Sequence, residues 1–322
     1  MAFAQETFSQ GNDPAPSAEL LPVSFTIVVP TFRRQALLPP LFAAVATERA
    51  SIPEPVELLL IDNSPEASAK AAAAAAPAFV RYVHEPQTGV ARARNRGVAE
   101  AAGTHVIFLD DDETPAAGWL YAFARAARQG AKAAFGAVEP RFETDPPAAL
   151  RGPLDRVFSR RLPAADGAEV QHLRAYLGSG NSMFAKATLA LVDPPFDTAF
   201  DRGGEDVWLF RRLVDDHQIP MLWCPGALVQ EIVPASRASL AFLRARRFSD
   251  GQLRCLVESG HGGLRGAARV ALWMAVGGAQ VLGHGLAALL TRSFSPTRST
   301  HFQLAACGGA GKILWWRRKL VR

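Results

Sequence analysis

Short apolar runs alternate with helical segments along the first 140 residues of the chain. Five runs have the length of a strand, at residues 25–30, 56–62, 80–84, 104–109 and 133–138. Continuous apolar runs of this kind are typical of strands buried on both faces of a parallel sheet. Their alternation with helices predicts an α/β fold with a mostly parallel sheet and helices on both faces.

The pattern also predicts the helices and a second set of elements. Helices are expected at residues 35–48, 66–76, 90–102 and 119–129. Residues 140–175 are rich in Pro, Arg and Asp. This composition indicates an irregular or short-helical segment, which we expect to cover the candidate site described below. After it we expect a strand at 182–185, a helix through 192, a helix at 205–216 and a strand at 221–229.

Charge is divided unequally along the chain. Residues 237–322 hold 14 of the 35 Lys and Arg residues but only two of the 30 Asp and Glu residues, so their net charge is +12 against −7 for residues 1–236. Within this basic tail, 238–256 is helical in pattern and 267–290 is apolar. Such a tail favours an anionic membrane surface over nucleic acid as its partner.

The apolar run of the tail allows three interpretations. It is nominally long enough to span a bilayer, but Arg269, Gln280 and His284 interrupt it. A helix lying in the membrane interface is therefore preferred over a span, and a helix buried on the domain is the structural alternative.

We expect three segments: a disordered tail at 1–22, an α/β domain at 23–236 and a basic, apolar helical extension at 237–322. The first residues lack the basic and apolar regions of a secretory signal. Three scattered cysteines suit neither a disulfide framework nor a zinc site, which favours a reducing compartment. The expected location is the cytoplasmic face of a bacterial inner membrane.

Four consecutive acids, residues 110–113, follow the fourth predicted strand. Ligands of α/β sheets bind beyond the carboxyl ends of the strands, and adjacent carboxylates repel unless a cation neutralises them. Carboxylate oxygens are hard ligands that suit Mg²⁺ or Mn²⁺, and substrate phosphates usually complete the coordination shell of these ions. A solvated acidic turn is the alternative, and the position after a buried strand favours the cation.

Two further polar motifs have a functional and a structural interpretation. Glu205 and Asp206 follow two glycines at a helix start, where they could act as a catalytic base or only interact with the helix dipole. Arg92 and Arg96 share a helix face behind Gly89. They could bind phosphate, or form a solvated face paired with Glu100.

Taken together, these motifs resemble family 2 glycosyltransferases of the GT-A fold. The motifs occur in the order of that family: 27–33, 61–63, 89–95, 108–112 with Pro115 and Trp119, 180–181, and 204–206. Residues 233–237 with 246–248 and Gly251 are similar to the subgroup that makes exopolysaccharides and cell-surface glycans. The resemblance implies inverting transfer from a nucleotide-sugar, with UDP expected, to a glycan or lipid-linked acceptor.

The resemblance also implies roles for individual residues. Pro30, Thr31 and Arg33 would line the nucleotide pocket and Asp62 would bind the base. Arg92, Asn95, Asp110, Asp111 and Asn181 would contact the donor, with Asn181 near the sugar. Asp110 and Asp112 would hold the metal. Asp206 would be the general base, with Glu205 beside it.

One departure from the family pattern keeps alternatives open. Many relatives have a histidine after the last strand, where this chain has Glu231, which could ligate the metal or bind Arg237. A catalytically inactive scaffold that binds nucleotide-sugar and membrane is one alternative. Residues 110–114 also match the nucleophile loop of haloacid dehalogenase-like phosphatases, although that loop follows the first strand of its fold.

Overall fold

The computed structural model describes residues 22–200, 203–260 and 262–317. Residues 1–21 of the expected N-terminal tail lie outside the described residues. The described part begins at Pro22, shortly before the first strand.

In the described part of the chain, eight strands form one sheet. They are β1 Phe25–Thr31, β2 Val56–Asp62, β3 Val80–His84, β4 His105–Phe108, β5 Glu113–Pro115, β6 Ala133–Phe142, β7 Ser182–Ala185 and β8 Leu222–Val233. Their order across the sheet is β3-β2-β1-β4-β7-β6-β8-β5. The first four strands in this order, β3, β2, β1 and β4, run parallel to one another, as the apolar runs predict. Strand β8 is parallel to β6.

The second half of the sheet mixes directions. Strand β7 is antiparallel to both β4 and β6, and β5 is antiparallel to β8. Strand β6 ends at the same edge as β1, and β7 begins there. The segment between them reaches the far end of the sheet, where Glu169 pairs with Leu222 at the start of β8. It then returns, and Gly180 lies beside Asp110 at the carboxyl edge.

Ten helices flank or extend the sheet. They are α1 Leu38–Arg49, α2 Lys70–Ala74, α3 Val90–Glu100, α4 Trp119–Arg128, α5 Ala148–Phe158, α6 Lys186–Leu189, α7 Glu205–Asp215, α8 Leu240–Ser259, α9 Gly263–Thr291 and α10 Pro296–Ile313 among the described residues. Alternate residues of β1 enter different cores. Ile27 and Val29 pack with α1 and α4 on one face of the sheet, whereas Val28 packs on the face that α3 and α7 cover.

The last three helices pack together and onto the sheet domain. A third core cluster joins Leu154 and Phe158 of α5, Val233 of β8, Leu243 of α8 and Leu304 of α10. Helix α9 buries one side against its neighbours and exposes six leucines, which are Leu264, Leu272, Leu282, Leu286, Leu289 and Leu290. By length and composition alone, α9 is a helix that could cross a membrane.

Candidate active site

The parallel strands bring polar residues together at one edge of the sheet. Thr31 lies beside Asp62 in the register of β1 and β2, and Val28 lies beside Phe108, the last residue of β4. Parallel strands that end together place their following loops side by side. The hydroxyl of Thr31 donates to Asp111 Oδ2 over 2.8 Å, which joins the end of β1 to the acidic loop.

Arg34 holds two of the consecutive acids. Its Nη1 donates to Asp111 Oδ1 and to Asp112 Oδ2, each over 2.8 Å. Arg237 Nη1 lies 3.4 Å from the same oxygen of Asp112. Burial raises the pKa of Asp111 to about 6 and raises the pKa of Asp112, in spite of the cations beside them. Burial of the acidic loop therefore outweighs the two arginines in setting the pKa of these carboxyl groups.

Arg33, which was expected to line the nucleotide pocket, points elsewhere. Its backbone has a φ of 57°, and its exposed side chain forms an ion pair with Glu66. This turn directs Arg33 outward and leaves Arg34 to face the acids. Sequence reasoning missed Arg34, because two adjacent arginines after a strand do not reveal which of them the turn directs inward.

A second arginine joins the acidic loop to helix α7. Arg94 of α3 is 6% exposed, and its Nη2 lies 3.2 Å from Asp110 Oδ1. Its Nη1 donates to Glu205 Oε1. Within the described residues, Arg94 Nε and Glu205 Oε2 are buried without a hydrogen-bond partner. One guanidinium group thus separates the acids of the loop from those of α7.

The other two arginines of α3 have different partners. Arg92 donates to Gln87, and Arg96 pairs with Glu100 at 2.8 Å, as the solvated-face alternative predicts. Arg94 was missed among the candidates. The signal for it was its position on the buried face of the helix, in line with Ala91 and Gly97.

Helix α7 begins with Glu205 and Asp206 in its first turn, after two glycines with φ of 122° and 97°. Burial raises the pKa of Glu205 to about 7, with the neighbouring Asp206 adding to the rise and Arg94 opposing it. Asp206 is less buried than Glu205 and accepts from the backbone N–H of Val207. Asp206 is therefore the more accessible of the two carboxylates.

Arg160 fixes the loop that faces these acids. Its guanidinium donates to the carbonyl oxygens of Gly136, Gly178, Gly180 and Asn181, at 2.7–2.8 Å. Gly180 lies so near the acids that a Cβ there would be 2.6 Å from Asp110 Oδ2. The absent side chain therefore makes room for the carboxylate of Asp110.

Two residues expected to contact the donor are engaged by the protein itself. Asn181 is fully buried, accepts from Trp119 Nε1 and donates to the carbonyls of Ala137 and Ala227, each over 2.7 Å. Asn95 exchanges two hydrogen bonds with the backbone of Phe196. The described contacts give both amides a structural role and do not support the expected donor contacts.

Asp62, expected to bind the base, is also fully buried. Its carboxylate accepts from the N–H and the hydroxyl of Ser64, from the N–H of Ala69 and from Tyr82 Oη. Four donors satisfy the accepting capacity of a carboxylate. Asp62 therefore organises the turn after β2, and contact with a base would require this network to open.

Two glutamates complete the acidic edge. Glu113 of β5 lies opposite Glu231 of β8. Burial, together with Asp112 and Asp110, raises the pKa of Glu231 to about 8. Arg237, the alternative partner of Glu231, lies against Asp112 instead. Across the described residues, no group of three or more His, Cys, Asp or Glu side chains has an arrangement that could hold a metal ion.

Comparisons with known proteins agree with this architecture. Residues 26–184 match the model of "Glycosyl transferase family 2". The chain is 34% identical over 258 residues to the succinoglycan biosynthesis protein ExoM of Rhizobium meliloti, covering 76% of this chain and 79% of that protein. The structure of S. aureus TarS 1-349 in complex with UDP-GlcNAc aligns with a TM-score of 0.51 at 16% identity, over 78% of this chain and 71% of TarS.

The mixed sheet with acids at its carboxyl edge is the GT-A fold. On its likeness to ExoM and its match to the family model, the chain belongs to glycosyltransferase family 2, and it is a glycosyltransferase. The phosphatase alternative does not fit the order of elements, because the acids follow β4 and not the first strand.

Proposed function

We propose that this enzyme transfers a sugar from a nucleotide-sugar, with UDP as the expected nucleotide, to a glycan or lipid-linked saccharide with inversion at the anomeric carbon. The observation that carries the proposal is the position of Arg94 between Asp110 and Glu205. The guanidinium group of Arg94 lies between Asp110, which is expected on the donor side, and Glu205, which is expected on the acceptor side. The names of ExoM, for succinoglycan biosynthesis, and of TarS, for its UDP-GlcNAc complex, support the acceptor and donor classes.

In the proposed reaction an acceptor hydroxyl attacks the anomeric carbon, and the bond from that carbon to the diphosphate oxygen breaks. Asp206 takes the hydroxyl proton, and the electron pair leaves with the nucleoside diphosphate. Arg34 and Arg237 face this leaving group beside the acidic loop and stabilise its charge. Glu205, held by Arg94, keeps the start of α7 in place beside the acceptor.

The proposed cofactor is Mg²⁺ or Mn²⁺. Carboxylate oxygens are the ligand type that such a cation takes. Because the described residues form no group of three ligands, two carboxylates of the acidic edge would have to be joined by ligands from the substrate. Asp110 and Asp112 would hold the ion, with Glu231 next to them. Substrate phosphates and water usually supply the remaining ligands of these ions. When bound, the ion would neutralise charge on the departing diphosphate.

The experiment is transfer of radiolabelled sugar from a panel of UDP-, GDP- and dTDP-sugars to membrane extracts. We expect transfer from one class of donor, and a loss of at least about a hundredfold in Asp206→Asn. Asp216→Asn removes an exposed acid from the end of the same helix and should act like the wild type. Wild-type turnover by Asp206→Asn would remove the base from the mechanism, and a wild type without transfer would favour the scaffold alternative.

We also propose that residues 23–236 form the catalytic domain and that the extension from 237 rests on the cytoplasmic face of a bacterial membrane. The six exposed leucines of α9 and the basic charge around them support an interfacial position. Leu282→Gln/Leu286→Gln should weaken co-sedimentation with phosphatidylglycerol vesicles. Leu191→Gln, at an exposed leucine outside the extension, should leave it unchanged. Equal sedimentation of all three proteins would oppose this location.

A further inference from the structure

A cavity of about 370 Å³ lies between α5, α8, α9 and α10, apart from the acidic edge of the sheet. This volume is within the range of small-molecule sites. Its lining includes Gly251 of α8 and Gly308 of α10, where the two helices approach closely. A Cβ on Gly251 would be 2.2 Å from the carbonyl oxygen of Gly308. The helices therefore meet backbone to backbone at the cavity.

The lining is strongly basic. Four cationic residues line the cavity: Arg156, Arg247, Arg254 and Lys312. Among the described residues of the lining, Asp250 is the one that carries a carboxylate. Asp250 is already paired with Arg246, at 3.1 Å. In the described part of the chain, neither Arg247 nor Arg254 has a carboxylate within ion-pair distance. The cationic charge of the cavity is thus poorly compensated.

Neighbouring groups respond to this excess of charge. Arg254 and Lys312 stand over the same ring, that of Trp273, at 4.9 and 5.8 Å from its centroid. Burial and Arg254 lower the pKa of Lys312. Burial, Arg156 and Arg247 lower the pKa of His301, whose ring accepts from Arg156 over 2.9 Å. Burial is the larger cause of both shifts, and the neighbouring cations add to it. An anion in the cavity would relieve this repulsion between cations.

The donor set also indicates which anion fits. The lining residues carry three guanidinium groups, the ammonium group of Lys312 and the amide of Gln280, whose Oε1 accepts from Lys312 over 2.7 Å. Guanidinium forks bind the oxygens of phosphate in pairs, whereas one carboxylate would leave several of these donors unpaired.

We propose that this cavity binds a phosphate or diphosphate group. The site is separate from the proposed donor site and does not depend on the reaction assigned to the acidic edge. An anionic phospholipid headgroup and the diphosphate of a membrane-anchored or soluble molecule share this chemistry. In either case, the cavity places a phosphate next to α9.

The test measures binding of inorganic pyrophosphate to the full-length protein by thermal shift, in EDTA so that no divalent cation assists the acidic edge. Arg247→Gln/Arg254→Gln removes two lining cations. Arg244→Gln/Arg298→Gln removes the same charge from exposed arginines outside the lining. Losing charged hydrogen bonds of this kind weakens binding by about tenfold or more. We therefore expect pyrophosphate to stabilise the wild type and the control, with at least about a tenfold higher Kd in the cavity variant.

Equal binding by the cavity variant and the control, or no stabilisation of the wild type, would overturn the proposal. If the double variant does not fold, Arg247→Gln alone replaces it.

A second experiment distinguishes a lipid headgroup from a diphosphate on another molecule as the source of the phosphate. It measures binding to vesicles of phosphatidylcholine with and without phosphatidylglycerol. A selective loss of phosphatidylglycerol binding in the cavity variant identifies a lipid headgroup. Unchanged vesicle binding with lost pyrophosphate binding identifies a diphosphate on another molecule.

Discussion

Arg94 contacts Asp110 on one side and Glu205 on the other, and so joins the loop after β4 to the first turn of α7. A planar guanidinium can donate in two directions at once, and an ammonium group on a lysine stem cannot reproduce that fork. The spacing of the two acidic groups therefore depends on the shape of this side chain as well as on its charge.

Arg94→Lys keeps the charge and loses the fork. We expect a fall in kcat of roughly tenfold to a hundredfold with a folded protein, since hydrogen bonds to charged groups contribute about 1.5–3 kcal/mol each. Steady-state kinetics measures the change. Arg96→Lys, on the exposed face of the same helix, is the matched control. A variant as fast as this control would show that Arg94 does not position the acids.

Arg33 and Arg34 form a natural pair of test positions. Arg34 contacts Asp111 and Asp112, whereas Arg33 contacts Glu66 at the surface. Arg34→Gln should raise the donor KM by at least roughly tenfold, because a cation facing the diphosphate is lost. Arg33→Gln should change it less than about twofold, as expected for an exposed ion pair. The reverse order of effects would restore the role for Arg33 that the sequence suggested.

Gly180 and Gly178 offer a similar comparison in the loop held by Arg160. A methyl group on Gly180 would displace Asp110, whereas on Gly178 its nearest neighbour is a nitrogen of Arg160 at 3.5 Å. We expect Gly180→Ala to lose most of its activity with little change in Tm, because the carboxylate can move without unfolding the chain. Gly178→Ala should stay near wild type. Equal activity of the two variants would contradict the placement of Asp110.

Glu205 makes stability depend on pH. Its pKa rises from 4.5 to about 7 on folding, chiefly through burial. Between these values the folded protein keeps a proton that the unfolded chain has released, so the free energy of unfolding falls as pH rises. Between pH 5 and pH 8, the free energy of unfolding should fall by about 1–3 kcal/mol less in Glu205→Gln than in the wild type. Urea unfolding measures this, with Asp216→Asn as the exposed control. Parallel pH profiles for the wild type and Glu205→Gln would refute it.

Much of the fold follows from local patterns. Strands β1–β4 and β6–β8 were expected from apolar runs, because a strand buried on both faces must be apolar throughout. Strand β5 was missed because it has only three residues, begins with the last acid of the run and is ordered by pairing with β8. Helix α10 lies within the extension that was expected to be helical, but its bounds were not predicted. Its sequence is rich in Gly, Ser and Thr, and its place comes from close glycine contacts with α8 and α9.

The structure brings the regions of the candidate site together, but several individual side chains there have other partners than the sequence suggested. The acidic loop and the start of α7 were identified, since acids at strand ends and helix starts are recognisable in sequence. The choice of Arg33 over Arg34, and of Arg92 over Arg94, depended on side-chain direction. That direction is set by a turn in one case and by helix packing in the other. Arg160 gave no signal, because its role lies in contacts with distant backbone carbonyls.

The most direct test of the central claim is the binding of UDP with Mn²⁺ to the wild type, Asp112→Asn and Asp206→Asn, measured by calorimetry. If the acidic edge holds a cation and a nucleoside diphosphate, the wild type and Asp206→Asn should bind alike. Asp112→Asn should bind at least about tenfold more weakly. Equal affinity of all three proteins, or no binding of UDP, GDP or dTDP by the wild type, would contradict the account.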